Sequence, residues 1–334
     1  SGAGNILLQY TFQRLVSLVF ILLGVSVVVF AMVHFSPGDP IRILLGDDAE
    51  PAEVERLTKL YGLDQPAYVQ YMRWLGRAVQ GDFGTSLRQR QPVTTLITEK
   101  MGATVELAVA SLLIAVLIGV PLGVISAVRR NTWVDFGSMF VALVGVSAPN
   151  FWIGLILLSY VALHVGWIPV FGRAEVSFLE ALLAPFRGGG LGPLWDSLRY
   201  LLLPAITLAT SIMALITRLT RSSMLEVLSK DYVRTAKAKG QTPRLVVYRH
   251  ALRNALLPVI TVIGVQFGSL LGGAIVVETV FAWPGVGMLI ITSIRTRELL
   301  VVQAAVLMLA AIFAIVNLLV DFSYSFLNPR IRYA

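Results

Sequence analysis

Few residues of this 334-residue sequence have the type and spacing for covalent chemistry. It contains no cysteine, so disulfides, thiolate nucleophiles and cysteine metal sites are excluded. The three histidines, His34, His164 and His250, lie far apart. His34 has Asp39 nearby, but a lone pair at the end of an apolar run is more often structural than hydrolytic. No glycine is followed by lysine, so the chain lacks the GxxxxGKS or GxxxxGKT loop that cradles nucleotide phosphates. The groups that do cluster are basic. Residues 218–254 carry nine Lys and Arg against two acids, a net of +7 in a chain whose total is +8. Such a stretch offers electrostatic recognition, of anionic lipid headgroups or of a protein partner.

Helix signals are dense in that stretch. Ser223 and Glu226 have the spacing of a capping box. Leu225, Leu228, Tyr232 and Ala236 recur every three to four residues, as one face of a helix does. Lys237 and Lys239 fall in its last turn, where positive charge complements the helix dipole, and Gly240 follows as a left-handed terminator. Thr242 is placed to cap a second helix with Pro243 at its first position, carrying Arg244, Arg249, His250 and Arg253. The spacing predicts two short helices meeting at Gly240. Attraction to headgroups accounts for the charge alone; a docking surface for a cytoplasmic protein accounts for the charge and the order.

The rest of the chain must hold this loop in a membrane. Apolar residues make up 56% and charged residues 14%, against about 25% charged in soluble domains. That excludes an ordinary cytosolic enzyme, a disordered chain and a collagen-like fibre. Six runs are long enough to span, at about 20 apolar residues each: 15–33, 104–128, 136–165, 200–217, 255–277 and 302–320. Pro149 beside Asn150 predicts a kink in the third, and Gly119, Pro121 and Gly123 a bend in the second. The first run is long for a signal peptide and lacks a clear cleavage site, and Ser1-Gly2-Ala3-Gly4 reads as an engineering scar. With a cytoplasmic N-terminus, inside segments hold 14 basic residues in 72 positions and outside segments 13 in 128. The positive-inside rule therefore places both termini in the cytoplasm.

On the outside, 34–103 reads as a small helical cap. Pro51 opens one helix that ends near Gly62, with Leu57, Leu60 and Tyr61 as its apolar face. Asp64 caps a second with Pro66 just inside, and Tyr68, Tyr71 or Met72, Leu75 and Val79 recur at helical spacing before Gly81. The cap is either a lid on the membrane interface or a platform for a soluble partner. Segment 166–199, with Arg187-Gly188-Gly189-Gly190-Leu191-Gly192-Pro193, reads as a solvated loop or a mobile element at the outer mouth. The apolar tract from Glu278 to Gly287, broken by Pro284 and Gly285, suits a re-entrant or interfacial hairpin. Glu278, Phe281 and Trp283 are candidates for an outer gate, and an aromatic belt is the alternative.

Several motifs together resemble the membrane permease subunit of ABC-type dipeptide and oligopeptide importers. Asp231-Tyr232-Val233-Arg234-Thr235-Ala236-Lys237-Ala238-Lys239-Gly240 is similar to that family's EAA-type coupling motif. Ser36-Pro37-Gly38-Asp39-Pro40, residues 61–66, residues 81–86, His250 to Pro258, Phe281 to Gly285 and Asn328 to Arg332 match it elsewhere. Arg234 and Thr235 depart from the broad motif in the way peptide permeases do and sugar permeases do not. The resemblance implies an all-α integral membrane protein with the type I ABC importer permease fold. It would be a single transmembrane domain over 1–334, with six transmembrane helices, the cap at 34–103 and a coupling helix within 218–254. It implies a non-catalytic subunit in a bacterial or archaeal cytoplasmic membrane, with no cofactor of its own and ATP and Mg held by partner subunits. The partners implied are a sister permease, two cytoplasmic ABC ATPases and an extracytoplasmic peptide-binding protein, and nucleic acid is not among them. The positions matching the coupling motif are Asp231, Arg234, Ala236, Lys237, Lys239, Gly240 and Thr242. Glutathione, nickel chelates and oligosaccharides are alternative cargoes on the same scaffold.

Polar residues at membrane depth separate the transport classes. Glu106 is the only charged residue within the proposed spans and lies near an end, which disfavours an ion-coupled carrier. A nucleotide-independent channel needs a filter or charged ring, and no span offers one. Gly264, Gly268 and Gly272 recur at four-residue steps, a pattern that brings helix backbones close. Gln266 lies off that stripe and is a candidate for the pathway; Asn150 and Asn317 are of a type more often used for interhelical hydrogen bonds.

Overall fold

In hydrocarbon each backbone polar group must find its partner within its own segment, so long apolar runs fold as helices. The computed structural model describes residues 2–35, 50–61, 64–86, 88–188 and 190–327. These residues are helical apart from turns, irregular connections such as 166–177, and one isolated bridge between Thr85 and Pro92. Helix α1 is Gly2–His34. Helices α2 (Pro51–Tyr61) and α3 (Ala67–Val79) follow, and α4 is Val93–Val128. Next come α5 (Trp133–Ser147) and α6 (Asn150–Val165), then α7 (Phe178–Leu183) and the 37-residue α8 (Gly192–Leu228). The remainder is α9 (Asp231–Ala238), α10 (Pro243–Gly272), α11 (Ile275–Val280), α12 (Val286–Arg295) and α13 (Leu299–Leu327). Among the described residues five helices are long and apolar enough to cross a membrane, and α5 with α6 makes a sixth candidate.

The third span is broken rather than kinked, with α5 and α6 meeting at 105°. Proline cannot donate, and it pushes the residue before it out of the helical region. Accordingly Ala148 (φ −80°, ψ 129°) and Pro149 (φ −62°, ψ 136°) are both extended. Pro121 lies inside α4, which runs unbroken through it. The glycines beside it serve packing. A Cβ at Gly119 would sit 2.9 Å from the Met213 carbonyl, and one at Gly123 would sit 2.6 Å from Thr220 Cβ. They bring α4 against α8.

The chain divides into two compact units, one of residues 1–102 and 286–315, the other of 103–285 and 316–334. In the first, Val93, Ile97, Leu289, Ile290, Ala304 and Ala305 are core residues, and Ser86 donates to the buried Glu298. Helix α3 rests on α1 through Tyr71, whose hydroxyl is 2.8 Å from Ser26 Oγ, and through buried Trp74 and Ala78. That corrects the expected face, since Tyr68, Met72 and Val79 are exposed. Helix α2 begins at Pro51 as expected. Pro66 stands at the cap of α3, one place earlier than anticipated, and no side chain caps it, so Asp64 does not. Gly81 follows the end of α3 with φ +80°. The motif residues 36–40, Gly62, Leu63 and 328–332, and the side chains of Leu57, Leu60 and Tyr61, lie outside what is described.

In the second unit α8 is the central element. Its most apolar 18-residue window is 61% buried, against 28% for that of α10. Asp135 of α5 is buried and accepts from Arg221 Nε (2.6 Å) and Nη2 (2.8 Å), from Ser126 Oγ at 2.5 Å and from the Asn131 amide. The glycine-rich run is only partly loop. Ala184–Arg187 forms a 3-10 turn, and α8 already starts at Gly192. A capping box does close the start of α7, where Ser177 and Glu180 bond reciprocally. The one expected at Ser223 and Glu226 does not form, because both lie inside α8.

Candidate coupling surface and pathway residues

The basic stretch is organised around α9. Its buried side consists of Val233 and Ala236, which join Val246 in a small core flanked by Val227 and Leu228. Its other side presents Asp231, Tyr232, Arg234, Thr235 and Lys237 to solvent. Arg234 and Asp231 are 3.5 Å apart but heavily exposed, so the pair contributes little. The helix ends in a Schellman turn. The Gly240 amide donates to the Lys237 carbonyl (3.0 Å) and the Gln241 amide to the Ala236 carbonyl (3.4 Å). Gly240 takes φ +74°, a conformation that disfavours side chains, and a Cβ there would meet open space. Lys239 and Thr242 flank it, both exposed. Thr242 stands before Pro243 as expected, but its hydroxyl makes no capping bond.

Beyond Pro243 there is no separate second helix, which is a correction. Pro243–Leu245, a π-helical turn over Val246–Leu252 and Arg253–Gly273 follow without a break, so α10 runs from the basic stretch into the fifth span. Two connections missed by sequence reasoning fix α9 to this helix. One is the Val233, Ala236 and Val246 core. The other is Asn254 Nδ2, which donates to the Tyr232 hydroxyl at 3.0 Å. Nearby, Met224, Val124, Ala127, Ala251 and Ala255 form a second core where α4, α8 and α10 meet. Displacing α9 therefore moves groups packed on α8 and α10. The face expected from Leu225 through Leu228 and Tyr232 to Ala236 is interrupted at Ser229 and Lys230, and Tyr232 is exposed while Val233 is buried in its place.

The pathway candidates divide into buried and open groups. Glu278, Phe281 and Trp283 are all buried within their unit. Glu278 accepts from Thr104 Oγ1 at 2.7 Å, Trp283 Nε1 donates to the Ala103 carbonyl at 2.8 Å, and the Gly172 amide donates to the Phe281 carbonyl at 2.9 Å. Gly285 lies against the Glu278 carboxylate, where any side chain would collide. Glu106 is not in the first turn of its helix. It lies well inside α4, pairs with Arg173 and accepts from the Phe178 amide at 3.1 Å. The glycine stripe is split. A Cβ at Gly264 would meet Val320 at 2.5 Å, Gly268 is buried, and a Cβ at Gly272 would meet nothing. Gln266 lines a hollow with Asn150, and Asn317 makes no side-chain bond among the described residues. No group of three or more His, Asp or Glu that could hold a metal occurs among the described residues.

A basic, exposed helix packed onto a spanning helix thus stands in a chain whose sequence holds no GxxxxGKS or GxxxxGKT loop. Residues 119–333 match the family described as binding-protein-dependent transport system inner membrane component, and residues 7–108 match its N-terminal membrane component. The chain belongs to this family. It is 42% identical to a dipeptide transport system permease protein of Alkalihalophilus pseudofirmus, over 98% of this chain and all of that protein. It is 41% identical to a glutathione transport system permease protein of Escherichia coli strain K12, over 98% of this chain and all of that one. It is also 41% identical to an oligopeptide transport system permease protein of Bacillus subtilis, over 97% and 99% respectively. The chain is a multi-pass inner-membrane permease of an ABC transporter, a non-catalytic subunit working with an ATPase, a binding protein and a partner permease.

Proposed function

We propose that this permease forms half of the path by which short peptides enter the cell, with both termini and α9 in the cytoplasm. The observation that carries the reading is the attachment of α9 to α10 through its small core and the Asn254–Tyr232 bond. Its exposed face offers Lys237, Lys239, Arg234 and Gly240 to a partner surface. Two cytoplasmic ATPases, holding ATP and Mg, would close on α9 of this chain and of a sister permease. That movement would pass through Val233, Ala236 and Val246 to the spans. The three relatives carry names for dipeptide, oligopeptide and glutathione transport. These share one chemistry, a short chain of amino acids joined by amides, which supports peptides as the cargo class. The buried Glu278, Phe281 and Trp283 would close the outer end of the path, held by Thr104, Ala103 and Gly172.

The test is the complete transporter in proteoliposomes with Lys237→Glu and Lys239→Glu together, or Gly240→Pro. Peptide uptake and peptide-stimulated ATP hydrolysis should both fall while the subunits still copurify. Survival of both activities in an assembled variant would remove the coupling role. Labelled dipeptides, longer peptides and glutathione, compared as cargoes, identify the substrate.

A further inference from the structure

A hollow of about 130 Å³ opens inside the second unit, lined by Asn150, Ser211, Gln266 and Ser269 with Leu208 and Leu270. At about 30 Å³ per water it holds roughly four waters. Gln266 lies midway along the uncharged stretch between Arg253 and Glu278, and Ser211 inside the uncharged stretch between Arg199 and Arg218. Asn150 is the first residue after the Pro149 break, so the sharp turn between α5 and α6 brings it to this hollow. Ser269 Oγ is occupied, donating to the Gln266 carbonyl. The side-chain amides of Asn150 and Gln266 and the Ser211 hydroxyl make no hydrogen bond among the described residues. A polar side chain at membrane depth either pairs across helices or faces a water-filled cavity, and these three take the second course.

We propose that Asn150, Ser211 and Gln266 form an uncharged hydrogen-bonding station for the main chain of a passing peptide. Each amide side chain presents both an NH2 donor and a C=O acceptor, matching the N–H and C=O of a peptide unit. No charged side chain lines the hollow, so it reads the repeating backbone and is indifferent to the charge of the cargo's side chains. A few neutral hydrogen bonds are also weak enough to release, which conduction through any pathway demands. This inference rests on the peptide-importer reading above and adds a site to it.

The experiment uses the complete transporter in proteoliposomes and reads peptide moved per ATP hydrolysed. Asn150→Leu with Gln266→Leu should lower that ratio about fivefold or more, roughly one net hydrogen bond's worth of binding. Gln266→Asn alone, which keeps an amide, should lower it far less. Because the sequence contains no cysteine, Ser211→Cys gives an independent readout. A small water-soluble thiol reagent should label it, and transported peptide should slow the labelling. An unchanged peptide-to-ATP ratio in the double variant, or a cysteine that no reagent reaches, overturns the station. So does loss of the sister permease from the Gln266→Leu complex, which would make the amides subunit-packing groups. If the unaltered transporter neither imports peptides nor hydrolyses ATP in response to them, the importer reading itself fails.

Discussion

At the scale of single residues, Gly240 and Tyr232 decide how firmly α9 is held. Gly240→Ala meets no steric obstacle but places a Cβ residue at φ +74°. Left-handed backbone costs an L-residue about 1–2 kcal/mol, so the Schellman turn should loosen. ATP hydrolysis that proceeds without peptide uptake is the expected sign in a transport assay. Tyr232→Phe removes only the acceptor for Asn254 Nδ2, at a net cost of about 0.5–1.5 kcal/mol. It should lower uptake per ATP with little effect on assembly. Glu180 tests the start of α7. Hydrogen bonds from the Ser177 side chain and backbone hold its carboxyl below the usual carboxylate range. A depressed folded-state value gives stability that is present above the unfolded value and lost as pH falls through the folded one. A nitroxide at Leu183→Cys should therefore gain mobility as pH drops below about 4.3, where a free glutamate is half protonated. Gly240 and Pro243 were legible in the sequence because each acts through its own backbone. The partners of Tyr232 and Glu106 were not, since Asn254 is 22 positions away and Arg173 67 positions away.

At the scale of elements, α5 and α8 are joined by the ion pair of Asp135 and Arg221, whose side chains are 2% and 26% exposed. Removing one member of a buried pair strands the other charge, so Arg221→Leu should cost about 3 kcal/mol. Asp135→Asn added to Arg221→Leu should recover much of that, measured by thermal unfolding in detergent. The existence of the helices was readable from apolar runs, but two ends were misjudged for one physical reason. Ser223 and Glu226 have the residue types of a cap, yet Met224 between them is fully buried on α4 and α10. Tertiary packing extends the helix through a local stop signal. The same S-x-x-E spacing at Ser177 and Glu180, where no such core intervenes, does cap a helix. Pro149 shows the opposite balance to Pro121, Pro204 and Pro258, which lie inside continuous helices. The expected kink was right in place and too small in size.

At the scale of the whole molecule, a permease of this family works with an ATPase, a binding protein and a partner permease, so its work depends on assembly. The exposed Lys237 and Lys239 make one aspect of assembly testable. Attraction between exposed charges is screened over about 8 Å at physiological salt. Attachment of the ATPases should weaken as salt rises, and Lys237→Glu with Lys239→Glu should abolish that salt dependence along with most of the binding. Copurification across a salt series measures both. The proposed surface was legible from charge placement together with the helix signals around Gly240. The polar hollow was less legible, because Asn150, Ser211 and Gln266 come from three separate helices and only the break at Pro149 brings the first to the others.

The length of α8 carries one more consequence. Its 37 residues rise about 55 Å at 1.5 Å each, against about 30 Å of hydrocarbon. One uninterrupted rod thus joins the loop after α7 to the turn before α9. Along such a rod, angle is information. Each added residue turns everything beyond it by about 100°. A single-residue insertion near Leu208 would leave composition and hydropathy nearly untouched. It would swing Arg221 away from Asp135 and aim α9 at the wrong side, a fault of phase rather than of stability.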